Sequence, residues 1–279
     1  MHISYKLLMD KFDSLNYPNF SPEAIDFILN REQDRLTKHR YDGAMARNKG
    51  FEESQKRSDD LRNITTSASL TPLAASPDNK ENGRFVDLPS ASGLEYLFAI
   101  QEEANVISKV CPERTVVSGS IVEDGIYIVE SDTIDYNGIT YNPGEFFIGV
   151  TGVTTYTGNG TVFQAERNTV NVKPMQHDDY NKIKNDPFNK PVVDNENKQL
   201  RRLQLGSRME ILLPEGAILE TYILRYIRKP RRISLSSSID CELAEHTHQE
   251  IVDMAVSSTL ESIESPRYRS NLNELGKLE

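Results

Sequence analysis

His246-Thr-His248-Gln-Glu250 has residue types that could ligate a metal ion. Alternate histidines on a strand face the same way and can share one ion. Here they straddle the predicted start of a helix, where their side chains diverge. They read as surface histidines flanking a cap, and no metal site is expected. The carboxylate pairs Asp59-Asp60, Glu123-Asp124 and Asp178-Asp179 could do acid–base chemistry only in a pocket with a partner group. No Gly-rich segment ends in Gly-Lys-Ser or Gly-Lys-Thr, and no dinucleotide fingerprint, serine elbow or zinc-protease helix is present. No catalytic residue and no cofactor are expected, and the chain reads as a non-enzyme.

The other chemically distinct cluster is basic. Arg225, Arg228, Lys229, Arg231 and Arg232 place five cations in eight residues. They could be a solvated strand end, a contact to an acidic neighbouring subunit, or a contact to DNA phosphates. The chain has 32 Lys and Arg against 42 Asp and Glu, a net charge of −10. In so acidic a protein another copy of itself is the more economical partner. Alternating basic and acidic patches favour head-to-tail association, which closes into a ring when the rotation permits.

Periodicity gives the elements that position these residues. Ser4 to Leu15 carries Leu7, Leu8, Phe12 and Leu15 at helical spacing. Ser21-Pro22 supplies an N-cap and a first-turn proline for a second helix reaching about Tyr41, with Ile25, Ile28, Leu29 and Leu36 on its apolar stripe. A shorter charged helix is predicted over Phe51 to Leu61, completing an N-terminal helical region over 1–64. Residues 65–82 are small and polar with two prolines, and predict a linker ordered only by a partner. Phe85 to Pro89 reads as a strand. Ser92 to Val106, with Leu94, Leu97, Phe98 and Ile100, reads as a helix.

Residues 115–166 contain no Lys or Arg, seven acids and seven aromatics. Asn137-Gly138 between Ile134-Asp-Tyr136 and Ile139-Thr-Tyr141 predicts a tight hairpin. Ile126 to Val129, Phe146 to Val150 and Thr161 to Phe163 supply further strands. The block reads as a small antiparallel β module, residues 118–166, inserted into a main domain over 83–117 and 167–279. The flanks Val110 to Val117 and Thr169 to Pro174 are expected to pair. Residues 175–200, around Asp186-Pro-Phe-Asn-Lys-Pro191, predict a pinned surface loop. Arg208 to Leu213 and Ile218 to Ile227 predict two strands about Pro214-Glu-Gly216. A C-terminal helix begins at Thr247, capped reciprocally by Thr247 and Glu250, with Ile251, Val252, Ala255, Val256, Leu260 and Ile263 inward and Pro266 at its end. The fold class is α+β: N-terminal helices, a central antiparallel β domain with an inserted β module, and a C-terminal helix.

Length 279, 37% apolar and 27% charged residues and a mean hydropathy of −0.53 allow a real core with much polar surface. No stretch approaches the ~20 apolar residues of a membrane span. The first residues lack the pattern of a signal peptide, so the protein is expected to be made and assembled in a cytoplasm. There the two cysteines, Cys111 and Cys241, would stay reduced. The negative balance repels nucleic acid on average.

Several segments resemble the neck and tail ring proteins of crAss-like phages and related short-tailed phages of Bacteroidetes. They are Phe12-Asp-Ser-Leu-Asn-Tyr17, Gly50-Phe-Glu-Glu-Ser-Gln-Lys-Arg-Ser-Asp-Asp-Leu-Arg62, Asp186-Pro-Phe-Asn-Lys-Pro191, Tyr226-Ile-Arg-Lys-Pro230, Gln249-Glu-Ile-Val-Asp-Met-Ala-Val256 and Glu264-Ser-Pro-Arg-Tyr268. The block from Thr133 to Val162 is similar to small β modules repeated in virion proteins of such phages. The resemblance implies a structural virion protein of the neck or tail, assembled in the bacterial host cytoplasm. It implies a homo-oligomeric ring, twelve-fold like the portal, stacked on the portal or on a neighbouring tail ring. The genomic DNA would pass through its channel without sequence-specific binding, and no membrane is involved. The alternative is a tail- or head-associated module that recognises a host surface glycan through the inserted β block.

Overall fold

The computed structural model describes residues 1–13, 20–42, 55–74, 76–109, 115–116, 124–150, 160–193 and 198–263. Cys111, Glu123, the motif residues 14–17 and 50–54, and Ser265-Pro-Arg-Tyr268 lie outside them. In chain order the elements are α1 (His2–Asp13), α2 (Pro22–Asp42), α3 (Gln55–Leu61), β1 (Thr65–Leu70), β2 (Gly83–Asp87), β3 (Tyr96–Lys109), β4 (Thr115–Val116), β5 (Gly125–Ser131), β6 (Ile134–Tyr136), β7 (Ile139–Tyr141), β8 (Phe146–Gly149), β9 (Thr161–Pro174), α4 (Tyr180–Asn185), β10 (Val192–Val193), β11 (Lys198–Leu205), β12 (Arg208–Leu212), β13 (Ile218–Arg228) and α5 (His248–Ser262). The fold is α+β. Two compact units divide it: Met1–Thr66 with Ser90–Ile100 and Tyr226–Glu279, and Ser67–Pro89 with Gln101–Arg225.

The first unit is built on α1, α2, α3 and α5. Ser21 starts α2 as its residue type predicts, accepting from the Ala24 N–H on Oγ at 3.3 Å. Ile25, Leu29 and Leu36 of α2 pack with Ile251, Val252, Ala255, Val256 and Leu260 of α5 in one buried cluster. Helix α1 joins it through Tyr5 and Met9, and the Tyr5 hydroxyl bonds Thr259 Oγ1 at 2.8 Å. Leu7, expected inward, is 65% exposed. The reciprocal cap on α5 does not form. Thr247 already has helical backbone, φ −85 and ψ −13, after a 3-10 turn over Glu245–Thr247. An N-cap side chain acts from extended backbone. The Thr247 hydroxyl instead donates back to Ala244 O at 2.7 Å, and Glu250 accepts from Arg40.

The second unit is a rolled sheet. The main hydrogen-bonded path is β1-β13-β3-β9-β11-β12-β2, with β4, β5, β8 and β10 paired off it. If flat, β13 and β12 would lie four strand spacings apart, about 19 Å. Yet Tyr222 of β13 brings its hydroxyl to 3.2 Å from Met209 Sδ of β12. The chain also leaves β1 at Leu70, and three residues later Leu73 N–H donates to Phe85 O of β2 at 2.8 Å. Three residues span at most about 11 Å, so the two ends of the sheet curl toward each other into an open barrel with β1 and β2 at its edges. Residues expected to be a free linker therefore form an edge strand and then tie down the seam. Asn79 Nδ2 donates to Gly83 O at 2.8 Å, and the Lys80 N–H donates to the buried carboxylate of Glu210. A Cβ on Gly83 would fall 2.5 Å from Glu210 Oε1, so a side chain there would push the carboxylate aside.

The helix expected over Ser92 to Val106 is absent, and β3 takes its place. From Glu103↔Asn171 to Lys109↔Ala165 it pairs antiparallel with β9. Glu102, Ala104 and Val106 are its buried alternation. A charged residue at the first of these positions hid the period of two. The expected pairing of the flanks also shifts. Thr115 and Val116 pair with Phe163 and Val162, while Thr169 to Asn171 face Asn105 to Glu103. Strands β9 and β11 run parallel, which departs from a purely antiparallel domain. Parallel neighbours need a long crossover. Residues 175–193 lie within it, with α4 inside the segment expected to be irregular.

The hairpin expected at Asn137-Gly138 forms. Strands β6 and β7 pair as Tyr136↔Ile139, with Asn137 at φ 52 and Gly138 at φ 76, the left-handed pair that a type I′ turn requires. Strand β5 pairs with β8 and with the first part of β9.

A candidate subunit-contact surface

The basic segment is held rigidly from three sides within the first unit. Where β13 ends, the Tyr226 hydroxyl donates to Leu94 O at 2.8 Å and the Lys229 N–H to Glu95 O at 2.8 Å. Beyond Pro230 the chain runs extended along α2. There Gln33 Nε2 donates to Arg231 O at 3.1 Å. Asn30 donates from Nδ2 to Ile233 O at 2.8 Å and accepts from the Ile233 N–H at 2.7 Å. Asp26 accepts the Leu235 N–H at 3.1 Å. Positions 26, 30 and 33 lie on one helix face, so α2 presents side-chain groups where a neighbouring strand would present backbone.

The third side is Glu242. It accepts from Arg228 Nη1 at 2.7 Å and from the Arg231 N–H at 3.0 Å, and its Oε1 lies 3.2 Å from Arg231 Nε. Partial burial pushes its carboxyl up, but hydrogen bonds from Arg228 and the Arg231 N–H, with both guanidinium charges, hold it below the ordinary carboxylate value. Arg228 also donates to Asn63 O at 3.3 Å. Lys229 lies 3.6 Å from Glu95 in an exposed pair.

The five cations thus divide. Arg228 is a structural clamp, 14% exposed at its side chain. Arg231 and Lys229 are paired yet open to solvent. Arg225, on the second unit, touches Gln101 Oε1 at 3.1 Å and is exposed. Arg232 is exposed and has no partner among the described residues. Two carboxylates against five cations leave the surplus positive.

The histidine segment is dispersed. His246 Nε2 bonds Asp60 Oδ1 at 2.6 Å, His248 Nε2 meets Leu243 O at 3.1 Å, and Glu250 takes Arg40 Nη2 at 2.6 Å. Asp60, 1% exposed, also lies 2.7 Å from Arg40 Nε, a charge contact out of hydrogen-bond alignment. This cluster locks α2, α3 and α5 together. Asp59 and Asp178 are exposed, and Asp179 pairs with Lys182 at 3.2 Å. Burial pushes the Cys241 thiol up, away from reactivity.

In the second unit Arg202 makes a bidentate pair with Glu102 at 2.6 and 2.7 Å, and the Tyr222 hydroxyl donates to the same carboxylate at 2.7 Å. A cleft of about 420 Å³ is lined by Ser108, Lys109, Tyr180, Lys184, Val193 and Leu212 among others. Lys109 is paired with Glu130 and Lys184 with Glu81, so two of its cations are already neutralised.

Among the described residues, several aromatic side chains of the β module are buried and others are half-buried. Tyr127, Tyr136 and Phe147 are buried, with ring centroids 5.6 and 4.8 Å from Phe147. They form a core within the module. Ile139, Ile148 and Val150 of the module are exposed, as are Asp132, Asp135 and Glu145.

Reading the sequence located the cations but not the groups that hold them. Asp26, Asn30, Gln33 and Glu242 were missed. The available signal was a set of polar residues at i, i+4 and i+7 beside the apolar stripe of α2.

Residues 143–267 match the family model described as phage tail ring protein 3/4, CrAss_Ring_3_4. The match spans the end of the β module, the barrel strands β9 to β13, the basic segment and α5. No curated protein matches the chain.

Proposed function

We propose that this chain, a structural tail ring protein of the crAss-like phage type over residues 143–267, closes with copies of itself into a ring in the neck or tail of the virion. The ring stacks on the portal or on a neighbouring ring, twelve-fold like the portal. It extends the DNA channel and supports later tail parts. The family match carries this reading. Two further features support it. The net charge of −10 suits a lumen past which DNA slides instead of being gripped. The surplus cations at Arg225, Arg231 and Arg232 suit a contact to an acidic copy of the same chain. The role is structural, with assembly in the host cytoplasm.

Quantitative mass spectrometry of purified virions tests this. A copy number equal to that of the portal is expected. Absence from the virion overturns the reading, and a large excess over the portal redirects it to head decoration. Arg225→Ser with Arg232→Ser should weaken assembly and leave the fold intact, because neither side chain holds the structure together. Arg228 is unsuited to that test, since it clamps Glu242.

A further inference from the structure

Strand β9 carries a buried amide with a lysine at one end and a carboxylate at the other. Asn168 is 6% exposed. Its Oδ1 accepts from Lys198 Nζ of β11 at 2.6 Å. Its Nδ2 donates to Glu166 Oε1 at 3.1 Å and to Ser108 Oγ of β3 at 3.2 Å. An ammonium can only donate and a carboxylate can only accept, so these partners fix which end of the amide faces the lysine. Glu166 and Asn168 are two apart on one strand and share a face of the sheet. Strand β11 runs parallel beside them, with Gln199 opposite Asn171. All of these groups belong to the second unit.

Acyl transfer needs this arrangement. The carbonyl carbon Cγ lies one bond beyond Oδ1, which puts it at most about 3.8 Å from Nζ. Reaction starts from about 3–3.5 Å, and holding both groups there makes it intramolecular. Lys198 is exposed, so water can take the ammonium proton and leave the amine lone pair. The lone pair adds to Cγ, and the carbonyl π electrons move onto Oδ1. Both nitrogens then sit on one carbon. The Glu166 carboxylate, already at Nδ2, takes a proton from Nζ and delivers it to Nδ2. The Cγ–Nδ2 bond breaks as the carbonyl re-forms, and ammonia leaves. One amine and one primary amide become one secondary amide and ammonia, with no oxidant, reductant or further reactant. Lys173 and Gln199 make the contrast. Their contact is longer, 3.4 Å, and Gln199 Nε2 donates to Phe188 O, a carbonyl that cannot carry a proton.

The geometry points to an intramolecular amide bond between Lys198 Nζ and Asn168 Cγ, with Glu166 as its proton carrier. The bond ties β9 to β11 covalently, two parallel strands whose backbone connection is a long crossover.

Intact-mass spectrometry of the full-length folded chain tests this. Wild type is expected to be lighter than its sequence mass by one ammonia, and digestion should give a branched peptide joining Asn168 to Lys198. Lys198→Arg keeps the charge but lacks the nucleophilic amine, and its exposed position leaves the fold intact, as circular dichroism would check. It should keep its full mass. Glu166→Gln should slow the loss of ammonia by about 100-fold or more. A succinimide at Asn137-Gly138 would also release ammonia, but that loss would persist in Lys198→Arg and give no branched peptide. A wild-type chain still at full mass after prolonged incubation near neutral pH overturns the bond, as does a mass loss unchanged by Lys198→Arg. Loss of ammonia at the wild-type rate in Glu166→Gln overturns the role of the carboxylate.

Discussion

Tyr222 and Met209 touch, hydroxyl to sulfur at 3.2 Å, although four strand spacings separate their strands in the sheet order. The contact records the curl of the open barrel, and Tyr222 also donates to Glu102, which is held in turn by Arg202. The barrel interior of the second unit is therefore pinned by charge as well as by apolar packing.

That pair makes an asymmetric prediction. Arg202→Leu leaves Glu102 buried without its cation and should cost about 3–5 kcal/mol. Replacing both Arg202 and Glu102 by leucine removes the uncompensated charge and should cost less than Arg202→Leu alone. Urea denaturation of the three chains gives the comparison; equal losses would show that the carboxylate finds another partner.

Asn30 bonds both backbone groups of Ile233. Asn30→Ala should cost about 1–3 kcal/mol, because two buried backbone groups lose their partner. Hydrogen exchange should accelerate at the Ile233 amide and leave the amides of α5 unchanged. Uniform acceleration would mean that the segment is not locally held by α2.

Glu242 gives a pH signature. Its carboxyl lies below the ordinary value in the folded chain. The stability it contributes is thus complete above the unfolded carboxylate pKa and is lost as pH falls through the lower folded value. Glu242→Gln should lower the melting temperature at neutral pH and show a shallower fall on acidification than wild type. Parallel curves for the two chains would place the acid sensitivity elsewhere.

Thr247 and Glu250 act separately, through Ala244 O and Arg40. Thr247→Ala should cost about 0.5–1.5 kcal/mol, and the same amount in a Glu250→Ala background. A reciprocal cap would couple the two losses instead, so a double-mutant cycle by thermal denaturation decides between the arrangements.

Local chemistry was the legible part of this chain. Asn137-Gly138 required left-handed backbone and became the hairpin. Ser21-Pro22 became a helix start, and the strands about Pro214-Glu-Gly216 formed where their apolar runs lie. What escaped were long-range compensations. Glu102 occupies a buried strand position because Arg202, 100 residues away, neutralises it, and without that partner the segment reads as helix. Residues 71–74 and 76–82 bury little apolar surface, yet they are held by bonds to β2 and to Glu210 that no local pattern announces. The cations were visible as a run, but their division into clamp and surplus depended on Glu242 and Glu95 arriving from elsewhere in the chain.

Strand β9 has a mechanical consequence. Its 14 residues form the edge of the β module against β5, then continue without a break into the barrel wall between β3 and β11. A pull on the module along this strand would load the barrel's hydrogen bonds in shear, many at once, instead of peeling them one by one. A contact made through the module would then pass tension directly into the barrel.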